Sequence, residues 1–259
     1  MNILDRIIEN KKIKIARSKK FVDIANLASQ EYYGRTCYNF ADSIMNGTGI
    51  ISEFKRKSPS KGLINGSVTV HEVVSGYEKA NASAISVLTD TCFFGGTFND
   101  VLIARETVKL PILRKDFIID EYQLHEAKAM GADVILLIAS ALSVEQTNDL
   151  ASEAKALGLN VFLEIHNQDE LGHFGSNIDV VGINNRDLKT FTIDIENSIR
   201  LSKELPNGVP KVAESGISNK ETLLRMKDEG FDGFLIGESF MRSENPGLSC
   251  QEFIKSCGL

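Results

Sequence analysis

No apolar run in this chain reaches the roughly 18–20 residues that a membrane helix needs, so no membrane span is expected. The N-terminus also lacks the apolar stretch followed by small residues that marks a secretory leader. Cys37, Cys92, Cys250 and Cys257 are scattered and form no C-x-x-C pair, which argues against a disulfide framework or a structural zinc site. His71, His125, His166 and His173 show no ligand spacing, and no metal site is expected. The segment Glu164-Ile165-His166 is read as placing His166 beside a carboxylate rather than on one face with it. A reducing, cytoplasmic location is the expectation.

Basic charge is short as well. The net charge is -6, whereas general nucleic-acid binding needs a basic domain. Residues 1–20 depart from this, with seven basic and two acidic side chains, but they lack the interleaved aromatics of a strand-binding arm. No nucleic-acid partner is expected. What is present, 259 residues with 42% hydrophobic and 25% charged, is enough for a sizeable core in one large domain or two small ones.

Short β-branched or apolar runs alternate with helical patterns from Gly49 onward. The strand candidates are Ile50–Phe54, Ala84–Leu88, Ile112–Lys115, Asp133–Ile138, Val161–Ile165, Val180–Asn184, Lys211–Glu214 and Gly233–Gly237. Between them lie amphipathic stretches such as Ser143–Leu157 and Asn219–Glu229, each followed by glycine, the usual helix stop. Strand ends recur every 20 to 36 residues, the length of a strand, a helix and two short loops. That rhythm implies parallel strands with right-handed crossovers, and eight units close into an α/β fold, a (β/α)8 barrel. A doubly wound open sheet is the rival. Residues 1–48 carry an apolar stripe (Ile3, Leu4, Ile7, Ile8) and helical patches at Asp23–Gln30 and Asn39–Ile44. They read as a helical extension packed near the mouth of a catalytic barrel formed by residues 49–259.

Barrel enzymes build their sites at the C-terminal strand ends. Glu53 and Lys55 share a face at the end of the first strand, where desolvating two charges is costly without a purpose. Lys115 and Asp116, Glu164, Asn184 and Arg186, and Glu214 and Ser215 occupy the corresponding places elsewhere. A ring of structural salt bridges is the alternative, but charges on five of eight strands point to a functional rim. Ser215-Gly216 and Gly237-Glu238 follow strands seven and eight, where barrels commonly cradle phosphate on backbone N–H groups. Phe117, directly after Lys115-Asp116, is either a pocket wall or core.

The blocks Glu53-Phe-Lys-Arg-Lys-Ser-Pro-Ser60, Leu113-Arg-Lys-Asp-Phe-Ile118, Leu163-Glu-Ile165, Gly182-Ile-Asn-Asn-Arg-Asp-Leu188, Val212-Ala-Glu-Ser-Gly-Ile217 and Leu235-Ile-Gly237 closely resemble the indole-3-glycerol-phosphate synthase family over nearly the whole chain. The resemblance implies a carboxy-lyase of tryptophan biosynthesis. It would close the ring of 1-(2-carboxyphenylamino)-1-deoxyribulose 5-phosphate and release CO2 and water. It implies Lys115 as general acid, Glu164 as base of the dehydration, and Glu53 with Lys55 as a pair acting on carboxylate and hydroxyl. Ser58, Phe117, Asn184, Arg186 and Glu214 would bind the substrate, and Ser215, Gly216, Gly237 and Glu238 its phosphate. No cofactor is implied, and a monomer is expected. Glu238 is expected to turn its side chain outward, because a carboxylate would repel a phosphate dianion. Among related barrels, orotidine-phosphate decarboxylase needs a D-x-K-x-x-D array that is absent here, and phosphoribosylanthranilate isomerase would share only the phosphate loops.

Overall fold

In the computed structural model, which describes residues 2–187 and 190–259, eight parallel strands close a barrel. They are β1 (Ile50–Phe54), β2 (Ala84–Leu88), β3 (Ile112–Lys115), β4 (Val134–Ile138), β5 (Asn160–Ile165), β6 (Val180–Asn184), β7 (Lys211–Glu214) and β8 (Gly233–Ile236). Every neighbouring pair is parallel, and β1 pairs with both β2 and β8, so no edge is left to template aggregation. Each expected strand is present to within one residue at either end. Leu188, the last residue of one recognised motif, lies outside the described residues.

Alternation along each strand separates two cores. Ile50 and Phe54 of β1 face outward and pack under the surrounding helices, in a layer that also holds Val73, Tyr77 and Leu223. Ile51 faces inward and meets Ala84, Leu113, Val134, Phe162, Val180, Val212 and Leu235, one apolar residue from each strand. Two residues further along several of these strands the inward side chain becomes polar: Glu53, Ser86, Lys115, Glu164 and Glu214. The same two-residue period that fills the lower barrel therefore delivers charges to its upper end.

The N-terminal segment does not sit only at the mouth. Helix α1 (Ile3–Phe21) runs across the C-terminal end, where Ile3, Leu4 and Ile7 line the cavity. Helix α2 (Ile24–Ala28) connects it onward, and α3 (Phe40–Asn46) plugs the opposite end. There Phe40 and Ile44 join the interior core, with the Phe40 ring 5.6 Å from that of Phe162. The buried stripe of α1 is Ile7, Lys11 and Ile15, so its middle position is a charge.

Lys11 is 1% exposed, and its Nζ lies 2.8 Å from Asp90 and 2.6 Å from Asp116, in the loops after β2 and β3. Burial alone would lower the ammonium pKa, but Asp116 and Asp90 raise it above the ordinary lysine value. Burial likewise pushes Asp116 up, and Lys11 and Arg114 overcome this to hold it at about 2. Removing one member of such a buried set costs about 3–5 kcal/mol because the partner is stranded, so Lys11 fastens α1 over the mouth. Arg114, which faces away from the barrel interior, completes the cluster with contacts to Asp116 (3.2 Å) and Glu126 (2.8 Å).

Candidate active site

A cavity of about 410 Å³ opens at the C-terminal end of the barrel. All thirteen side chains and loop positions expected from sequence line it: Glu53, Lys55, Ser58, Lys115, Phe117, Glu164, Asn184, Arg186, Glu214, Ser215, Gly216, Gly237 and Glu238. Ser58 arrives on a short antiparallel hairpin (Lys57–Ser58 with Gly62–Leu63) that follows β1.

At the centre is Lys115. Its Nζ donates to Glu164 Oε2 at 2.6 Å and to Glu214 Oε2 at 2.9 Å. Burial would lower its pKa, but Glu164, Glu214 and Glu53 raise it well above the ordinary value. Its nearest neighbours are carboxylates, which favour the charged ammonium over the neutral amine. The two carboxylates divide in turn. Burial opposes the charged form of Glu164, yet Lys115 and His166 hold its pKa below the usual range. Burial and the nearby Glu164 charge push Glu214 up to about 7. One ammonium does not hold two desolvated carboxylates equally, and of the two Glu214 takes a proton the more readily.

Glu164 is fixed further by Asn184, whose Nδ2 donates to Oε1 at 2.9 Å, while Asn184 Oδ1 accepts from the Arg186 backbone N–H at 3.0 Å. Across the cavity Lys55 donates to Glu53 at 2.5 Å, and Ser86 Oγ reaches the other Glu53 oxygen at 3.4 Å. Two glycines make room for these acids. A Cβ at Gly182 would fall 2.4 Å from Glu214 Oε1, and one at Gly237 would fall 2.5 Å from Glu53 Oε1. At both positions a side chain would displace an acid from the site. The second Glu214 oxygen, Oε1, is buried against Gly182 without a hydrogen-bond partner among the described residues.

Two expectations need correction. His166 does share a face with Glu164, because residues two apart on an extended strand point the same way, and its Nε2 lies 3.2 Å from Glu164 Oε1. Glu238 does not swing away to solvent. Its carboxylate accepts from Arg242 at 3.1 and 2.8 Å and approaches Arg186 at 3.9 Å, so two cations offset its repulsion of an anion. Asp116 is drawn into the Lys11 and Arg114 cluster, which assigns it to fastening α1.

The sequence reading did not place Phe94 or Phe191 in the wall. Phe94 tilts against Phe117 with ring centres 6.3 Å apart, and both line the cavity with Phe191, Ile3, Leu4 and Ile7. This gives one apolar end suited to an aromatic ring. Arg242 was also missed, and its position four residues after Glu238 on a helix was the available signal.

Such a barrel, with two lysines and three glutamates converging on a mouth that is apolar at one end and glycine-lined at the other, defines an enzyme of acid–base chemistry. A family model of indole-3-glycerol phosphate synthase matches residues 4–253. The protein of that name from Bacteroides thetaiotaomicron is 47% identical over 256 residues, covering 98% of each chain. That from Salinibacter ruber is 41% identical over 251 residues, covering 95% of this chain and 93% of its own. Among solved structures, the tryptophan synthase alpha-subunit of Pyrococcus furiosus superposes with a TM-score of 0.61 at 14% identity, over 82% of this chain and 99% of its own. The N-acetylmannosamine-6-phosphate 2-epimerase of Clostridium perfringens gives 0.61 at 17% identity, over 84% and 96%. These last two share the fold. The chain belongs to the indole-3-glycerol-phosphate synthase family, the carboxy-lyases of tryptophan biosynthesis.

Proposed function

We propose that this site converts 1-(2-carboxyphenylamino)-1-deoxyribulose 5-phosphate into indole-3-glycerol phosphate, CO2 and water. The observation that carries the reading is the Lys115 ammonium suspended between Glu164 and Glu214, facing the Glu53–Lys55 pair across one cavity. The anthranilate ring lies against Phe94 and Phe117, and the phosphate lies on the backbone of Ser215-Gly216 and Gly237-Glu238. Arg186, Arg242 and Lys55 balance the substrate's anionic groups.

Chemistry begins when the ring carbon bearing the carboxylate attacks the ribulose carbonyl. An alkoxide develops at the carbonyl oxygen, and Lys115 transfers a proton to it. An alkoxide is far more basic than an amine, so the transfer is downhill even from an ammonium strengthened by carboxylates. Glu214, which is partly protonated near neutrality, sits 2.9 Å from Lys115 and can restore its proton. Ring closure leaves a cationic, non-aromatic ring that regains aromaticity by losing CO2, so the ring nitrogen itself accepts the electrons. Dehydration follows: Glu164 removes a proton from the former C1 of the sugar, and Lys55, held by Glu53, protonates the departing hydroxyl. Each proton transfer by a placed group contributes about 10²–10⁴-fold. The protein acts as a cytoplasmic monomer without a cofactor.

The phosphate cradle has its own test. Backbone N–H bonds to a dianion contribute roughly 1.5–3 kcal/mol each, so two of them should make the dephosphorylated substrate bind at least about 100-fold more weakly. Competition against the normal substrate measures this directly, and equal affinity for both compounds removes Ser215, Gly216 and Gly237 from phosphate binding.

A further inference from the structure

We infer that His166 is a positioning residue for Glu164, gripping the base from the side opposite Lys115 while Glu170 grips the imidazole in turn. The inference rests on the assignment of Glu164 as base. His166 follows β5 with a side chain 9% exposed, and its Nε2 stands 3.2 Å from Glu164 Oε1, off the line of an ideal hydrogen bond. Its other ring nitrogen, Nδ1, meets Glu170 Oε2 at 3.3 Å, and that same oxygen accepts from the His166 backbone N–H at 2.7 Å. Asn197, from the helix Ile195–Ser202, donates to the His166 carbonyl at 3.1 Å and fixes the backbone from the far side.

Glu164 is therefore seized at both ends. Oε2 takes the Lys115 ammonium, and Oε1 faces the Asn184 amide and the imidazole. A carboxylate held this way cannot rotate, and each oxygen has an assigned direction. The groups facing His166 are Glu164 on its own strand and Glu170 on the following turn, with Lys115 and Glu214 behind Glu164. Burial would favour neutral imidazole, but the carboxylates of Glu164 and Glu170 raise its pKa to about 10, so the ring is a cation at neutral pH. Two cations then flank the base, and its charge survives burial even when Lys115 has given up its proton to the substrate. His166 supplies what Lys115 cannot during the step in which Lys115 acts.

The sign of the pH effect follows. Turnover needs Glu164 ionised, so the rate falls as pH drops through its pKa. The imidazolium keeps that pKa low. His166→Gln removes the cation, raises the Glu164 pKa and moves the acid limb of the kcat profile to higher pH. Losing one charge-assisted contact should lower kcat by roughly tenfold, with KM within about twofold because His166 does not touch substrate. Glu170→Gln should shift the same limb in the same direction by less, since imidazole remains but is less often charged.

The test is the pH dependence of kcat for full-length wild type, H166Q, E170Q and E164Q, with thermal melts alongside. An upward shift of the acid limb in H166Q and a smaller one in E170Q supports the inference. A fall in kcat with the limb unmoved is a merely structural effect and overturns it, as does wild-type behaviour. Should H166Q fail to fold, E170Q, in the turn Gln168–His173 that follows β5, decides by the same shift. Loss of activity in E164Q with an unmoved limb in H166Q refutes the role of His166 alone, whereas wild-type turnover in E164Q refutes the base assignment beneath it.

Discussion

Lys115→Met is expected to lower kcat by two to four orders of magnitude while KM changes only a few-fold and the melting temperature stays near that of the wild type. Methionine matches the stem of lysine and fills its path along the barrel wall, so packing is kept. What disappears is the ammonium that donates to Glu164 at 2.6 Å and Glu214 at 2.9 Å. With only the His166 imidazolium left beside Glu164, the two buried carboxylates do not both stay charged. Because Glu214 is already pushed up to about 7, it takes a proton and shares it with Glu164 at little cost to the fold. In the proposed binding mode the phosphate loops and the aromatic wall hold the substrate, and the substitution does not touch them. In the proposed mechanism ring closure, by contrast, loses the group that protonates the alkoxide. Steady-state kinetics with circular dichroism and a thermal melt check this, and turnover within a few-fold of wild type takes Lys115 out of the mechanism.

Glu164→Gln should separate the two halves of the reaction. Glutamine keeps the shape and can still accept a hydrogen bond from Lys115, which retains Glu214 as a partner. The first half, closure and CO2 release, therefore proceeds in a single turnover. With Glu164 as the proposed base, dehydration is the step impaired, and indole formation should slow by about 10²–10⁴-fold. Rapid-quench measurement of CO2 against indole fluorescence resolves the two, and the variant should give a burst of CO2 with no matching rise in fluorescence. Parallel loss of both signals would move Glu164 to the first half of the reaction. Loss of neither would leave it without a role.

Much of this was legible in the sequence because of a period of two. Inward positions on a barrel strand are read by alternation, and Ile51 with Glu53, or Leu113 with Lys115, shows the apolar lower layer and the charged upper one in a few residues. The strand boundaries followed from the same pattern and from the Gly, Ser and Asn residues that end and cap the helices. Three things were harder. Lys11 reads as a solvent-facing lysine on an amphipathic helix, because only tertiary contact with Asp90 and Asp116 makes its burial affordable. The path of the extension from mouth to base depends on Phe40 finding the open lower end of the barrel, which no local pattern encodes. The direction of the Lys115 shift depends on three strands meeting, and a sequence cannot say that its nearest charges are Glu164 and Glu214 rather than another lysine. The misreading of His166 was of a different kind, since alternation along β5 should have placed it with Glu164.

The central claim is that the charged rim and the glycine-lined loops form one catalytic site for a carboxyphenylamino-deoxyribulose phosphate. The most direct measurement is to mix the purified full-length protein with that compound and follow indole fluorescence and released CO2 together. The account predicts catalytic turnover with one CO2 for each indole-3-glycerol phosphate formed. A folded protein that binds the compound but releases neither product would contradict it.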